Sequence, residues 1–280
     1  MFQDFLLFEL RYRLRRPLIY IFFLICLLLV FAATVSDKVQ IGDVHAGLHK
    51  NAPHVIFSLS LMMSLIGVFM TTALTNTAML RDFDYRYDGI LFATPITKGA
   101  YLGGRFAGAF LMALVPFLGV FAGIALGSLS PWVEASRLGA FQWQAYWVAF
   151  WLAVVPNTLL MASIVFMLAA LFRSSLFSFI GAMGILILYI LLLGFTRDLD
   201  HELLVLLIDP LAINAHGVLT KYWTVYEKNH QVLSFSGPLL LNRLIWVTVS
   251  LGLLALTYFR FSYAAKTSLI GRPKRAEASR

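Results

Sequence analysis

Five stretches of this chain run for 18 residues or more without a single charged side chain: 18–35, 55–80, 106–129, 145–172 and 176–195. A sixth, 239–263, carries only Arg243 and Arg260 as charges. Crossing bilayer hydrocarbon as a helix takes about 20 apolar residues. Lipid offers no partner to a bare backbone group, so runs of this length must satisfy their own N–H and C=O groups as helices. The sequence therefore predicts an all-α polytopic membrane protein with six transmembrane helices. Only 13% of the residues are charged, against about 25% in soluble domains. The second run makes about 39 Å of helix, so it tilts or extends beyond the bilayer.

Residues 1–16 are too charged to span. Phe2, Phe5, Leu6, Glu9, Leu10 and Arg13 recur at helical spacing, and Arg11, Arg13, Arg15 and Arg16 gather toward the end. This predicts an interfacial amphipathic helix with its bases near anionic membrane lipid. A cleaved signal peptide is the competing reading, opposed by the long amphipathic start and the lack of a small-residue cleavage site. Pro17 stands at the entrance of the first span, where its missing N–H costs nothing. Residues 1–263 form the membrane domain and 264–280 a basic tail. With the N-terminus inside, 15 of the 22 Lys and Arg fall on the cytoplasmic side, while eight of the 14 acids fall outside. That asymmetry favours six spans with both termini cytoplasmic. It also explains the net charge of +8 by orientation and anionic lipid rather than by a nucleic acid partner.

Thr71, Thr72, Thr75, Asn76 and Thr77 make the inner end of the second span polar, which fits either hydrogen bonding between helices or a polar substrate path. Gly119, Gly123 and Gly127 give the third span a face on which another backbone can approach closely. Pro156 frees a carbonyl in the fourth span and predicts a kink that Asn157 helps to satisfy. Arg243, near the start of the sixth, is expected to snorkel to the outer interface, and Trp246 to sit in the aromatic belt. The spans hold no Asp, Glu, Lys or His at bilayer depth, which argues against an ion-coupled carrier and an intramembrane hydrolase. Cys26 is the single cysteine, so neither an internal disulfide nor a cysteine metal site is expected. All six histidines lie in outer segments. His45 and His49, with Asp43 close by, could share a metal on a helix, but tolerance of histidine in wet loops explains the same sorting, and no metal site is assigned.

The longest polar interruption on the inner side is Arg81–Arg105, RDFDYRYDGILFATPITKGAYLGGR. Its first half predicts a short helix with an acidic and aromatic face (Asp82, Asp84, Tyr85, Asp88) beside apolar Ile90, Leu91 and Phe92. Pro95 ends that helix. Such an element suits docking onto another protein; the alternative is a solvated loop whose charges only fix topology. Arg81, Asp82, the run 91–96, Lys98, Tyr101, Leu102, Gly104 and Arg105 resemble the ABC-2 type transporter permeases. The resemblance implies a coupling helix seated in a groove of a separate ATPase subunit, carried here by Asp82, Asp84, Tyr85, Arg86, Asp88, Phe92, Pro95, Lys98 and Arg105.

On the outer side, 199–217 reads as a helix or helical hairpin dipping into the outer leaflet before the last span. Ile208-Asp209-Pro210-Leu211, the run Tyr222 to Asn229 and the run Leu239 to Trp246 look like the permease portion of bacterial proteins that join ABC-2 membrane domains to an M1 family aminopeptidase. Asp209, Pro210, Trp223, Asn229, Asn242 and Arg243 carry that motif, as structural or substrate-facing residues. Residues 1–280 contain neither a peptidase portion nor a Walker A sequence, so no enzyme activity is expected of them. The resemblance implies a permease subunit of an ATP-driven exporter in a bacterial inner membrane. It works with a separate ATPase subunit, which holds ATP and magnesium, and with a second permease copy; no cofactor is expected in this chain. The alternative is a membrane scaffold for an outer-face enzyme or maturation factor, without transport.

Overall fold

The computed structural model describes residues 1–36, 47–196 and 201–262. Asp43, His45 and the basic tail fall outside the described residues. Six helices are long and apolar enough to cross a membrane. They are α2 (Pro17–Val35), α3 (Pro53–Asp84), α5 (Lys98–Ser128), the continuous helix Trp143–Phe172 that contains α6 (Trp143–Ala149) and α7 (Val155–Phe172), α8 (Ser175–Thr196) and α12 (Gly237–Arg260). The shorter helices are α1 (Phe2–Leu14), α4 (Asp88–Phe92), α9 (Glu202–Ile208), α10 (Ile213–Thr220) and α11 (Val225–His230). The chain is an all-α, multi-pass membrane protein. The end of the bundle that holds α1 and α4 is termed proximal; the end that holds α9, α10 and α11 is termed distal.

Helix α3 is the axis. Ile56, Val68, Ala78 and Met79 on it are wholly buried, while Met62, Ile66 and Phe69 form one exposed apolar stripe, so most of the helix belongs to the core. It packs along α5, α7 and α8. It runs four residues past the expected end at Leu80, and α5 starts at Lys98 rather than at 106. Both helices thus continue beyond their apolar runs, carrying charged residues out of the bilayer on rigid scaffolds. At the periphery, α8 and α12 turn apolar side chains such as Leu188 and Leu244 outward, where lipid takes the place of core.

The glycine face of α5 packs against α2. A Cβ on Gly119 would stand 2.4 Å from the carbonyl oxygen of Phe23, and one on Gly123 would stand 2.6 Å from that of Leu27. Backbone cannot step aside as a flexible side chain can. Gly123→Ala is expected to lower stability by about 1–3 kcal/mol through overpacking, read as a fall in melting temperature in detergent. Gly184→Ala, with nothing within 4 Å of its Cβ position, serves as the neutral control. Equal behaviour of the two variants would refute the close contact.

Pro156 follows a π-helical turn at Phe150–Val154. Its ring crowds the carbonyl four residues back, that of Leu152, and the wider turn makes room for it. The disturbance expected from this proline takes that form, and the Asn157 side chain is left for another task.

Candidate functional site

The proximal turn between α3 and α5 is built from a helix stop. Arg86 lies in the left-handed region with φ of 57°. The Tyr87 N–H donates to the Asp82 carbonyl at 2.9 Å and the Arg86 N–H to the Phe83 carbonyl at 3.1 Å, the bond pattern that usually ends a helix on glycine. Asp82, Asp84 and Tyr85 therefore belong to α3 or its cap, while Asp88 opens the separate five-residue α4. The predicted single helix with one acidic and aromatic face is replaced by two elements, because the reversal at Arg86 breaks the ladder. Asp84, Tyr85, Arg86, Tyr87, Ile90 and Pro95 are exposed, with Tyr85 at 65% and Ile90 at 72%. The side chains of Asp88 and Phe92 lie outside the described part. Lys98 rests over the ring of Tyr258 on α12, 5.0 Å from its centre.

Asp82 and Arg105 face the other way. Arg105 Nη2 donates to both Asp82 carboxylate oxygens at 2.7 Å, and Tyr101 Oη donates to one of them at 3.0 Å. Glu9, wholly buried on α1, accepts from Arg13 at 3.1 Å and also from Arg81 and Arg105. Three guanidinium groups and two carboxylates thus join α1, the end of α3 and the start of α5. The guanidinium of Arg81 also lies 4.2 Å above the ring of Tyr12, a cation–π contact. Gly104 and Gly108 bring α1 this close: Cβ atoms on them would lie 2.6 Å from Phe5 Cβ and 2.5 Å from Glu9 Cβ. Arg13, grouped with the lipid-facing bases by its position in the sequence, belongs to this cluster instead. Glu9, Arg81 and Tyr101 were not singled out as site residues. The signals that could have found them are the Glu9–Arg13 spacing of four and the matching spacing of Gly104 and Gly108.

At the distal end, α9 and α10 form the expected hairpin, turning at Asp209-Pro210. Asp209 caps the turn: its oxygens accept from the N–H groups of Leu211 and Ala215, both at 3.1 Å. Burial pushes its carboxyl pKa up, against the pull of those donors and of Arg243. Arg243 does not snorkel. It is 2% exposed and points inward. Its Nη1 donates to Asn157 Oδ1 at 2.9 Å, its Nε to Asn242 Oδ1 at 2.7 Å, and its Nη2 to the carbonyls of Asp209 and Pro210 at 3.3 and 3.4 Å. Asn157 Nδ2 donates to the Leu211 carbonyl at 3.1 Å and Asn242 Nδ2 to that of Asp209 at 2.9 Å. Trp246 Nε1 donates to the Leu207 carbonyl at 3.2 Å. The turn between α9 and α10 would otherwise bury bare carbonyls, and α7 and α12 supply the donors that pay this cost. Asn229 holds α11 down by donating to the Gly47 carbonyl and accepting from the His49 N–H. Trp223 is half-buried beside His54 and Phe57.

Sequence reasoning passed over a second distal feature. The ring of His216 on α10 lies 4.6 Å from that of His54, tilted by 30°, and stacks on Phe57 at 4.9 Å. Burial, with His54 and Lys228 nearby, drops the His216 pKa from 6.5 to about 3. The folded state therefore holds His216 neutral while the unfolded state protonates it below 6.5. Its contribution is complete above pH 6.5 and is lost as pH falls toward 3. Stability is expected to fall by about 2 kcal/mol between pH 6.5 and 5. Melting temperature against pH, flattened in His216→Gln, checks this; an identical slope in both proteins would refute it.

Of the polar residues in α3, Thr71, Thr72, Thr75 and Asn76 are buried and Thr77 is exposed. Thr72 Oγ1 donates to the Val68 carbonyl at 2.7 Å, whereas Thr75 Oγ1 and Asn76 Oδ1 have no partner among the described residues. Scanned against protein-family models and curated protein sequences, the chain matches none.

Proposed function

We propose that the chain is the membrane-spanning permease subunit of an ATP-driven ABC-2 type exporter, coupled to a separate ATPase subunit. The observation that carries this reading is the proximal turn. A short helix and its exposed flanks, Asp84 to Ile90, join two long helices whose ends are held together by buried ion pairs. A push on that turn loads α3, the axis of the bundle, and α5 together. The resemblance of residues 81–105 to ABC-2 permeases supports the same assignment. The basic bias of the N-terminal side supports placing the proximal end in the cytoplasm of a bacterial inner membrane. ATP and magnesium belong to the partner. Force on α3 and α5 changes their packing against a second permease copy and opens a path outward.

The test is purification of the tagged protein from native membranes in mild detergent, with identification of any co-purifying ATPase. Asp84→Arg with Arg86→Glu is the control, since both side chains are exposed and the fold does not depend on them. An ATPase held by the wild type and lost from the double variant is the expected result. An intact monodisperse protein with no ATPase would favour the scaffold alternative, and an ATPase that binds both forms alike would place its contact away from Asp84 and Arg86.

A further inference from the structure

We propose that the free face of α1 binds the headgroup of an anionic lipid. This inference does not depend on the exporter assignment. The two faces of α1 have different partners: Phe5, Glu9 and Arg13 turn toward α5, whereas Arg11, Arg15 and Arg16 are exposed. The three exposed arginines line an open groove of about 630 Å3 together with Leu7, Phe8 and Tyr12. No acid among the described residues neutralises them. Asp4, the carboxylate on the groove, is taken by the N-terminal ammonium at 2.6 Å. Arg16 is already positioned, with its Nη2 donating to Tyr12 Oη at 2.9 Å and its guanidinium 4.9 Å above the Tyr12 ring. Three guanidinium groups in one groove present the planar donor pairs that phosphodiester oxygens accept.

The occupant follows from what adjoins the groove. Arg16 is followed directly by Pro17, the first residue of α2, whose outward residues Leu18, Ile21, Leu24 and Leu28 are exposed and apolar. A molecule with its phosphate on Arg11, Arg15 and Arg16 and its acyl chains along α2 satisfies both surfaces. A soluble anion would leave the apolar one uncovered, and an acidic protein surface would have to enter the bilayer to reach it.

The experiment measures retention of phosphatidylglycerol by native mass spectrometry, and melting temperature in phosphatidylcholine nanodiscs with and without phosphatidylglycerol. Arg11→Gln with Arg15→Gln is compared with Arg86→Gln with Arg260→Gln, which removes the same charge from exposed proximal positions elsewhere. The first pair is expected to weaken binding about 30-fold, roughly fivefold for each base. The second is expected to leave it within about threefold. Arg11→Lys with Arg15→Lys keeps the charge but loses the planar donor pairs, so its binding should fall between wild type and the glutamine pair; it carries the test if the glutamine pair fails to fold, since binding equal to wild type would show charge alone and overturn the site. Equal loss in both glutamine pairs would show only diffuse surface charge and overturn the site. So would stabilisation by inorganic phosphate equal to that by the lipid, which would mark a site for a free anion.

Discussion

Glu9→Ala is expected to cost about 3–5 kcal/mol, because it leaves the buried guanidinium groups of Arg13 and Arg105 and the partly buried one of Arg81 without their shared acid. Glu9 accepts from Arg13, Arg81 and Arg105, and of these Arg105 keeps a second acid, Asp82. The damage should be local before it is global. α1 is held to α5 by this cluster and by the glycine contacts at Gly104 and Gly108, so its release should open the otherwise buried Arg13 to trypsin well below the temperature of global unfolding. Glu9→Gln keeps the shape and removes the charge, and is expected to behave nearly as badly. Asp82→Asn should be milder, since Arg105 still reaches Glu9. Thermal unfolding and timed proteolysis measure both effects. A Glu9→Ala protein within about 1 kcal/mol of wild type, the range of an exposed ion pair, would mean that the cluster does not hold α1.

The second large effect is expected at the distal end. Arg243→Leu removes the donor to Asn157, Asn242 and the carbonyls of Asp209 and Pro210 at once. The loss should reach about 3–5 kcal/mol, since Asn157 Oδ1 and Asn242 Oδ1 stay buried without this donor while the Asp209 carbonyl keeps Asn242 Nδ2. Arg243→Lys should recover less than half of it, because one ammonium cannot reproduce a planar fork reaching two helices and a turn. Hydrogen exchange gives the readout that distinguishes this contact from general destabilisation. Amides between Leu211 and Thr220 should lose protection first, with α2 and α5 unaffected. Uniform loss across the bundle would show that Arg243 does not act through the α9–α10 turn.

Much of this architecture was legible in the chain. Hydrocarbon leaves a long uncharged run no choice but a helix, so six runs gave six spans. Gly119, Gly123 and Gly127 marked a close-approach face because only glycine lets backbones meet at that distance, and α2 meets it. Helix limits were less legible. Lys98 to Arg105 looks like a polar loop by composition, yet it continues α5, because Arg105 finds partners on α1 and α3 and Lys98 finds one on α12. The single helix expected across Asp82 to Asp88 is broken at Arg86, where nothing in the residue type announces a left-handed turn. Of the residues assigned to coupling, Asp84, Tyr85 and Arg86 stand on the surface, while Asp82 and Arg105 serve the interior.

By itself the sequence determined the membrane class, the number of spans and which helix could be approached most closely. These follow from local composition and period. Only the tertiary structure decided what the polar residues do. Glu9 meets Arg81 and Arg105 across 72 and 96 residues of chain, and Arg243 meets Asn157 across 86. An arginine at a membrane boundary has two ways to avoid an unpaired charge: reach for water or find acceptors inside. Arg243 turns inward because the α9–α10 turn brings unpaired carbonyls within its reach, and that proximity exists only once the helices have packed.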